Sequence, residues 1–349
     1  MTQSIFQRCK AFLALLRVHQ YTKNGLLFLP AFFAVKLNDW QIFQNLMQAF
    51  LGFSLVASSV YIINDYMDRE SDRKHPTKKN RPLASGAISP QTAFVTWLFL
   101  IIAGNALVYM VHPICFYLTI SYSILNVLYT IRLKHVPILD INFVAIGFVV
   151  RLYVGSIATD VKLSVWIIVT TFVFALFIAL GKRRDDVLLR QEGKEVRKSV
   201  DGYNLDFING SMMIMASVTI VTYISYTVSP DSIERFGTSN LYTTAFFVLL
   251  AIFRYLQITM VEGRSGSPTR IVLKDLFLQM TILGWLATFA LLIYGPRWAG
   301  SYQKSKTETR PAVRKSVAPS KKRTLPRTRT KATTRPKAKP KSASKAPAK

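Results

Sequence analysis

Long apolar runs follow one another through the first 300 residues of the chain. A run of about 20 residues crosses a bilayer as an α-helix, because each residue adds about 1.5 Å to a span of about 30 Å. The runs are continuous and do not alternate with polar residues, which argues against a transmembrane β-barrel. The pattern predicts an all-α membrane protein built as a bundle of nine transmembrane helices. The predicted spans are 24–36, 44–64, 91–111, 114–131, 138–158, 164–181, 209–229, 240–260 and 276–296.

The charge of the chain is separated from its apolar body. The sequence is 50% hydrophobic with a mean hydropathy of +0.26, yet its formal net charge is +27. Residues 301–349 hold 17 of the 45 Lys and Arg, and Glu308 is their one acidic residue. This stretch, rich in Lys, Ala, Pro, Thr and Ser, has no apolar run that could form a core. We therefore expect a transmembrane domain at 1–299 and a disordered basic tail at 300–349.

Basic residues also crowd the loops on one side of the predicted bundle. Four loops on that side carry 18 Lys and Arg, whereas the loops on the other side carry Lys36, Lys162 and Arg235. The positive-inside rule places the first set in the cytoplasm and predicts a multi-pass protein of the inner (cytoplasmic) membrane. An odd number of spans then places the tail outside, where anionic lipid headgroups or envelope polyanions are its expected partners. Nucleic acid would need a cytoplasmic tail and is not expected, and a solvated tail without a partner is the alternative.

A group of acidic residues, "NDYMDRESD", follows the second predicted span directly. Asn64, Asp68 and Asp72 are spaced i, i+4 and i+8, which predicts that they share one helix face. Oxygen ligands without a thiolate or a neighbouring imidazole suit a hard cation, and Mg²⁺ accepts a few protein oxygens together with phosphate and water. We therefore predict that these three residues form a catalytic metal site. A solvated acidic helix end is the alternative.

Basic residues follow these acids at once in "RKHPTKKNRP". Lys78 and Arg81 are among those that can reach phosphate oxygens. Acids for a metal beside bases for an anion predict a diphosphate site at the cytoplasmic mouth of the bundle.

A second charged loop, "GKRRDD", follows the sixth predicted span. Its bases, Lys182, Arg183 and Arg184, face the same compartment as the first loop. They would supply a second anion clamp at the same mouth, although basic residues at a helix exit can also serve topology alone.

Lone charges inside the apolar runs add to the predicted site. Arg151 lies deep in the fifth span, where an arginine costs at least a few kcal/mol, so that a functional partner is expected. Asp140 begins that span and is expected to pair with Lys134 or Arg151, or to help bind the metal. Lys23, in "RVHQYTKNGLLFLP", opens the first span at the same cytoplasmic face.

The motif "NDYMDRESD" resembles the N-D-x-x-D-x-x-x-D motif of the UbiA superfamily of intramembrane prenyltransferases, and the resemblance covers about residues 15–296. It implies a nine-helix UbiA-type bundle with an apolar chamber for a polyprenyl chain. It also implies a Mg²⁺–diphosphate site at the cytoplasmic mouth. The superfamily usually carries a second aspartate motif, D-x-x-x-D, after span six, whereas this chain has "GKRRDD" there.

That departure resembles the decaprenyl-phosphate phosphoribosyltransferase branch of the superfamily. The segments "RVHQYTKN", "LKHVPILDINFVAIGFVVR" and "SPTRIVLKD" are similar to that branch too. The resemblance implies transfer of 5-phosphoribose from phosphoribosyl diphosphate (PRPP) to a polyprenyl phosphate, with release of diphosphate, in the synthesis of a cell-envelope glycan precursor. A donor with an additional 5-phosphate calls for additional bases in place of a second metal motif.

Carried across by matching positions, the resemblance assigns a role to each candidate residue. Asn64 and Asp68 would hold Mg²⁺ on the diphosphate, with Asp72 as a weaker ligand, and Tyr61 would line the ribose site. The residues implied to hold phosphates of the donor or of the lipid are Lys23, Lys78, Arg81, Lys134, Arg151, Lys182 and Arg183. Which base holds which phosphate is left open.

Two other functions are weighed against this one. A prenyltransferase that moves a polyprenyl group from its diphosphate to an aromatic acceptor would fit the bundle, but its second loop should be acidic. A lipid or ion transporter would also fit nine helices with an intramembrane arginine. Transporters often show internal repeats and paired broken helices, which this sequence does not display. An oligomer is compatible with the sequence.

Overall fold

A computed structural model describes residues 5–74, 78–194, 198–263 and 268–308. Within these ranges the regular elements are all helical, in agreement with the predicted all-α class. The α-helices are α1 Ile5–Leu16, α2 Leu29–Phe33, α3 Trp40–Lys74, α4 Pro90–Val111, α5 Pro113–Ile131, α6 Leu139–Ala158, α7 Val165–Gln191, α8 Leu205–Thr227, α9 Pro230–Phe236, α10 Ala245–Met260, α11 Pro268–Lys274 and α12 Leu276–Glu308. The 3₁₀ helices are Val18–Phe28, Lys78–Asn80, Leu133–His135, Lys198–Gly202 and Asn240–Thr244.

Eight of the described helices are long and apolar enough to cross a membrane. They are α3, α4, α5, α6, α7, α8, the combined segment Asn240–Met260 and the Leu276–Gly295 part of α12. Polar caps mark where such helices begin: the Ser89 side chain accepts a hydrogen bond from the Thr92 amide, directly before Pro90 at the start of α4. Ser and Thr caps of this kind satisfy amides that have no partner inside the helix.

The first predicted span, 24–36, is not a continuous α-helix. The 3₁₀ helix Val18–Phe28, called here the 3₁₀ segment, leads into the five-residue α2. Thirteen residues of α-helix would reach about 20 Å, which is less than the apolar thickness of a bilayer. The chain from Arg17 to Phe33 nevertheless runs from one end of the bundle to the other. Arg17 lies beside Asp65 in the C-terminal half of α3, whereas Phe33 packs on Tyr226 at the opposite end of the bundle. The chain therefore crosses the bundle here in a broken form.

The helices of the bundle bury small and aliphatic residues against each other. At the crossing of α3 and α4, a Cβ atom added to Gly52 would lie 2.8 Å from the Gly104 carbonyl oxygen, so only glycine permits this approach. Large apolar side chains such as Phe99, Met110 and Tyr117 lie exposed on the outside of the bundle. This arrangement, with small residues between helices and apolar residues outward, is that of a bundle surrounded by lipid.

Met1–Gly300 form one compact unit by the contacts between residues. The chain beyond Glu308 lies outside the described residues, and with it most of the predicted tail. The separation into a domain at 1–299 and a tail at 300–349 therefore stays a prediction.

Candidate functional site

The helix α3 continues beyond the predicted span, which ends at residue 64, to Lys74, so that the acidic motif lies on a helix as predicted. The Asn64 Oδ1 atom accepts a hydrogen bond of 3.3 Å from the Thr130 hydroxyl. The Lys134 Nζ atom lies 2.5 Å from the Asp68 Oδ1 atom. Asn64 and Asp68 thus face the end of α5 and the short turn after it. They are two of the three residues predicted to bind the metal.

Asp72 does not belong to this pair. Its Oδ2 atom lies 2.7 Å from Arg81 Nη1, and the Asp65 Oδ1 atom lies 3.0 Å from the same nitrogen. At about 100° per residue, Asp72 lies only about 20° around the helix from Asp65 but about 80° from Asn64. The three predicted ligands thus span an arc of about 80° around α3, and Asp72, at the edge of that arc, pairs with Arg81, so that its part in a metal site stays a prediction. The predicted phosphate ligand Arg81 is held by two buried carboxylates.

Arg17 and Asp65 were missed by the sequence reasoning. The Arg17 Nη2 atom lies 2.5 Å from Asp65 Oδ1, and its guanidinium lies over the Tyr61 ring at 4.9 Å. Tyr61, the predicted ribose ligand, therefore lies under a cation. A lone arginine that precedes the first apolar run gave little signal, because its partner is 48 residues away.

Lys23 lies in a group of like charges, together with Arg17, Arg151 and Lys182. Burial and the positive charges of Arg151, Lys182 and Arg17 lower the pKa of Lys23 to about 8. No salt bridge to Lys23 occurs within the described ranges of the chain. Four cations brought together in a partly buried place attract an anion.

Arg151 has a partner, as its depth in the bundle predicts, but the partner is not Asp140. It is buried, with a 5% exposed fraction. Its Nε atom donates to Asn24 Oδ1 at 2.8 Å, and its Nη2 atom donates to the Tyr122 hydroxyl at 3.1 Å. The predicted pairing of Asp140 with Lys134 or Arg151 is wrong.

Asp140 instead binds Arg183 of the "GKRRDD" loop. It is fully buried, and its Oδ2 atom lies 2.9 Å from Arg183 Nε in an ion pair without the angles of a hydrogen bond. Arg183 also contacts Asp186. The Tyr203 hydroxyl donates to Asp140 Oδ1 at 2.7 Å and accepts from the Ile138 amide, and burial together with the bond to Asp140 raises the pKa of Tyr203. Arg183 could bind a phosphate only if its ion pairs with Asp140 and Asp186 were broken.

The remaining predicted bases lie at the edge of the site. Lys78 begins the short 3₁₀ turn Lys78–Asn80, and its carbonyl accepts a 2.9 Å hydrogen bond from the Arg81 amide. Lys182 is exposed at the end of α7 and near enough to repel Lys23. No cluster of three or more His, Cys, Asp or Glu side chains with metal-binding spacing occurs among the residues that the structure describes.

The UbiA prenyltransferase family matches residues 26–285, well over half of the chain. This chain belongs to the UbiA prenyltransferase family, as its acidic motif and nine apolar runs indicate. It is a multi-pass membrane protein with the all-α fold that was predicted from its sequence.

Two relatives whose names state an activity are similar to this chain over most of its length. The decaprenyl-phosphate phosphoribosyltransferase of Mycolicibacterium smegmatis is 32% identical over 253 residues, which cover 70% of this chain and 79% of that protein. The protein of the same name from Mycobacterium tuberculosis is 29% identical over 280 residues, covering 78% of this chain and 91% of that protein. These matches agree with the branch predicted from "GKRRDD".

A UbiA homolog from Archaeoglobus fulgidus bound to GPP and Mg²⁺ shares the fold, with a TM-score of 0.63 at 20% identity. The match covers 81% of this chain and 99% of that one. The bundle is thus that of the family along nearly the whole length of the solved homolog.

Proposed function

We propose that this protein transfers 5-phosphoribose from PRPP to a polyprenyl phosphate and releases diphosphate. The observation that carries the proposal is the unequal distribution of charge at the site. Oxygen ligands occur on the α3 side, at Asn64 and Asp68, while the α7 side offers the exposed base Lys182. The names of the mycobacterial relatives, which describe this transfer, support the same reading.

Asn64 and Asp68 would hold a divalent metal, with Mg²⁺ as the expected ion. The fit is supported by the chemistry of the two side chains, an amide oxygen and a carboxylate four residues apart on α3, although the Lys134 ammonium, 2.5 Å from Asp68 Oδ1, would have to make room for the ion. Asp68 retains a 26% exposed side chain, so an ion can reach it from solvent. When bound, Mg²⁺ neutralises charge on the departing diphosphate.

The chain itself binds the anions and orients them. In the proposed reaction the bond from the anomeric carbon to the diphosphate oxygen breaks, and its electron pair leaves with the diphosphate. An oxygen of the lipid phosphate forms the new bond, and because it is already anionic it needs no strong general base. Lys23 and Lys182, whose positive charges lie near each other, would hold one of the phosphates in position.

The enclosure of the site by the bundle would exclude water from the activated donor. We further propose that the site faces the cytoplasmic side of the inner membrane, because the loops on its side carry 18 Lys and Arg, whereas the loops on the other side carry only Lys36, Lys162 and Arg235. A tail bound to anionic lipid or envelope polyanions, and an oligomeric state, both stay predictions.

One assay separates this activity from the prenyltransferase alternative. The purified full-length protein is incubated with Mg²⁺ and PRPP labelled in the ribose, together with a polyprenyl phosphate. A parallel reaction contains a polyprenyl diphosphate and an aromatic acid. We expect label in the lipid fraction of the first reaction only. Product in the second reaction alone would assign the protein to prenyl transfer.

A further inference from the structure

The 3₁₀ segment is an unusual element on which to place a substrate-binding lysine. It runs for 11 residues, from Val18 to Phe28, and follows Arg17 in the left-handed region at φ 51°. Runs of 3₁₀ helix longer than three or four residues are uncommon, because their hydrogen bonds have poorer geometry than those of an α-helix. The segment therefore needs support from its neighbours to keep this conformation.

Side chains of α3 supply the first support. The Tyr21 hydroxyl lies 2.9 Å from Ser58 Oγ, and the Asn24 amide nitrogen donates to Ser54 Oγ at 2.9 Å. Tyr21 and Asn24 are three residues apart, which is one 3₁₀ turn, whereas Ser54 and Ser58 are four apart. Three residues of 3₁₀ helix and four residues of α-helix both rise about 6 Å, so the two pairs match in length.

The helix α6 supplies the second support at the same spacing. Arg151 donates from Nε to Asn24 Oδ1 at 2.8 Å. Four residues later, a Cβ atom added to Gly155 would lie 2.0 Å from the Leu27 carbonyl oxygen, so α6 and the segment touch directly there. Asn24 and Leu27 are again three residues apart. If residues 18–28 formed an α-helix, their rise per residue would be smaller. One contact of each pair would then no longer align with its partner on α3 or α6.

The guanidinium of Arg151 has further partners in this arrangement. Besides Asn24, it donates to the Gly147 carbonyl at 2.6 Å and to the Tyr122 hydroxyl at 3.1 Å. Its central carbon lies 5.1 Å from the ring centroids of both Phe53 and Tyr122. Each of its three nitrogens thus has a partner within the protein, and these contacts hold the guanidinium against α6 and the 3₁₀ segment.

We propose that Arg151 is a positioning residue, which holds Asn24 and thereby the 3₁₀ conformation of the segment, so that the adjacent Lys23 meets the substrate anion. This inference rests on the proposed function, since it assigns Lys23 to one of the phosphates. It replaces the predicted direct contact between Arg151 and a phosphate by an action through Asn24.

The kinetic test is a double-mutant cycle in the full-length protein. Arg151→Gln and Lys23→Ala are made singly and together, and kcat/KM for PRPP and for polyprenyl phosphate is measured. A misplacement of about 1 Å can cost roughly 100-fold in rate, so we expect each single variant to lose about that factor. In the Lys23→Ala background, Arg151→Gln should cost no more than about threefold, because the residue that it positions is gone. An equal loss in both backgrounds would overturn the proposal and make Arg151 an independent ligand.

A second measurement needs no turnover and so remains decisive if the proposed function fails. Amide hydrogen exchange of residues 18–28 should be at least tenfold faster in Arg151→Gln than in the wild type. Arg184→Gln is the matched control, because Arg184 is also a buried arginine but binds Asn209 and the Thr259 carbonyl. It should leave exchange in the 3₁₀ segment unchanged.

Asn24→Ala removes the tie to Arg151, together with the bond to Ser54, without removing a charge, and serves if Arg151→Gln does not fold. It should speed exchange across 18–28 as Arg151→Gln does. Unchanged exchange in a folded variant would overturn the proposal. Absence of phosphoribosyl transfer by the wild type would instead overturn the proposed function alone.

Discussion

The charged ends of α3 and α7 contain similar residues but use them differently. At the end of α3, Asp68 is partly exposed and contacts the single ammonium of Lys134. At the end of α7, Arg183 is buried between Asp140 and Asp186. The Asp68 carboxylate remains accessible from solvent, whereas the second ion pair joins α6 and α7 inside the protein. Residue types alone do not distinguish a binding site from a structural contact, but burial does.

The same comparison divides the basic residues of the site. Arg81 and Arg183 each contact two carboxylates. Lys23, in contrast, lies among like charges, and burial together with these charges lowers its pKa to about 8. We therefore expect substrate anions to bind to the lysines near the 3₁₀ segment, while the paired arginines hold the helices in place.

The largest effect is expected at the exposed acid. Asp68→Ala removes a proposed metal ligand and leaves the Lys134 ammonium without its partner. Loss of such electrostatic stabilisation costs about 4 kcal/mol, so transfer from labelled PRPP should fall roughly 10³-fold. The thermal midpoint should change little, because the pair is partly exposed. Full activity in a folded Asp68→Ala variant would contradict the assignment of Asp68 as a metal ligand.

The buried pair should give the opposite result, with a large effect on stability. Removing one partner of a buried ion pair costs about 3–5 kcal/mol. Arg183→Ala and Asp140→Ala should therefore each lower the free energy of unfolding by about that amount, as measured by denaturation in detergent. The double variant Asp140→Leu with Arg183→Met should recover most of the lost free energy of unfolding and should retain phosphoribosyl transfer. A stable double variant without transfer would show that Arg183 binds substrate after all.

The pH dependence of kcat/KM tests the role of Lys23. Its cation is the form that attracts an anion, and with a pKa of about 8 in the free protein that form is lost as the pH rises above 8. We expect kcat/KM to fall up to tenfold per pH unit above that point. Bound phosphate stabilises the cation, so kcat should decline at a higher pH. Lys23→Arg should remove this decline, and a decline that persists in Lys23→Arg would assign it to another group.

The smallest effect is expected from removal of the basic C-terminal tail, which belongs to neither the α3 region nor the α7 region. Truncation after Glu308 keeps α12 whole. It also keeps every proposed site residue, since these residues lie between positions 17 and 203. Turnover should therefore change by less than about twofold in the same transfer assay. A tenfold loss would place part of the tail in the site.

The sequence predicts the bundle well because apolar runs are local signals. The same holds for the extension of α3, since "NDYMDRESD" continues a helical pattern. Local pattern could not reveal the 3₁₀ form of residues 18–28, because that form depends on Ser54, Ser58 and Arg151 from distant helices. Tertiary contacts decided the conformation there.

The candidate site was predicted where spacing determines it and missed where long-range pairing does. Asn64 and Asp68, four residues apart, face the same way. Asp72 pairs with Arg81, a contact that its spacing from Asn64 and Asp68 does not indicate. The pairing of Asp140 with Arg183 joins residues 43 positions apart, and no local pattern indicates which of several bases an acid will meet.

The most direct test of the central claim follows three labels of one donor. PRPP is prepared with carbon label in the ribose, with phosphorus label in the 5-phosphate, and with phosphorus label in the diphosphate. The protein is supplied with Mg²⁺ and a polyprenyl phosphate, and the lipid and aqueous phases are separated. Ribose carbon and 5-phosphate should enter the lipid in equal amounts, while the diphosphate label stays in the aqueous phase. Diphosphate label in the lipid, or a lipid without ribose carbon, would contradict phosphoribosyl transfer.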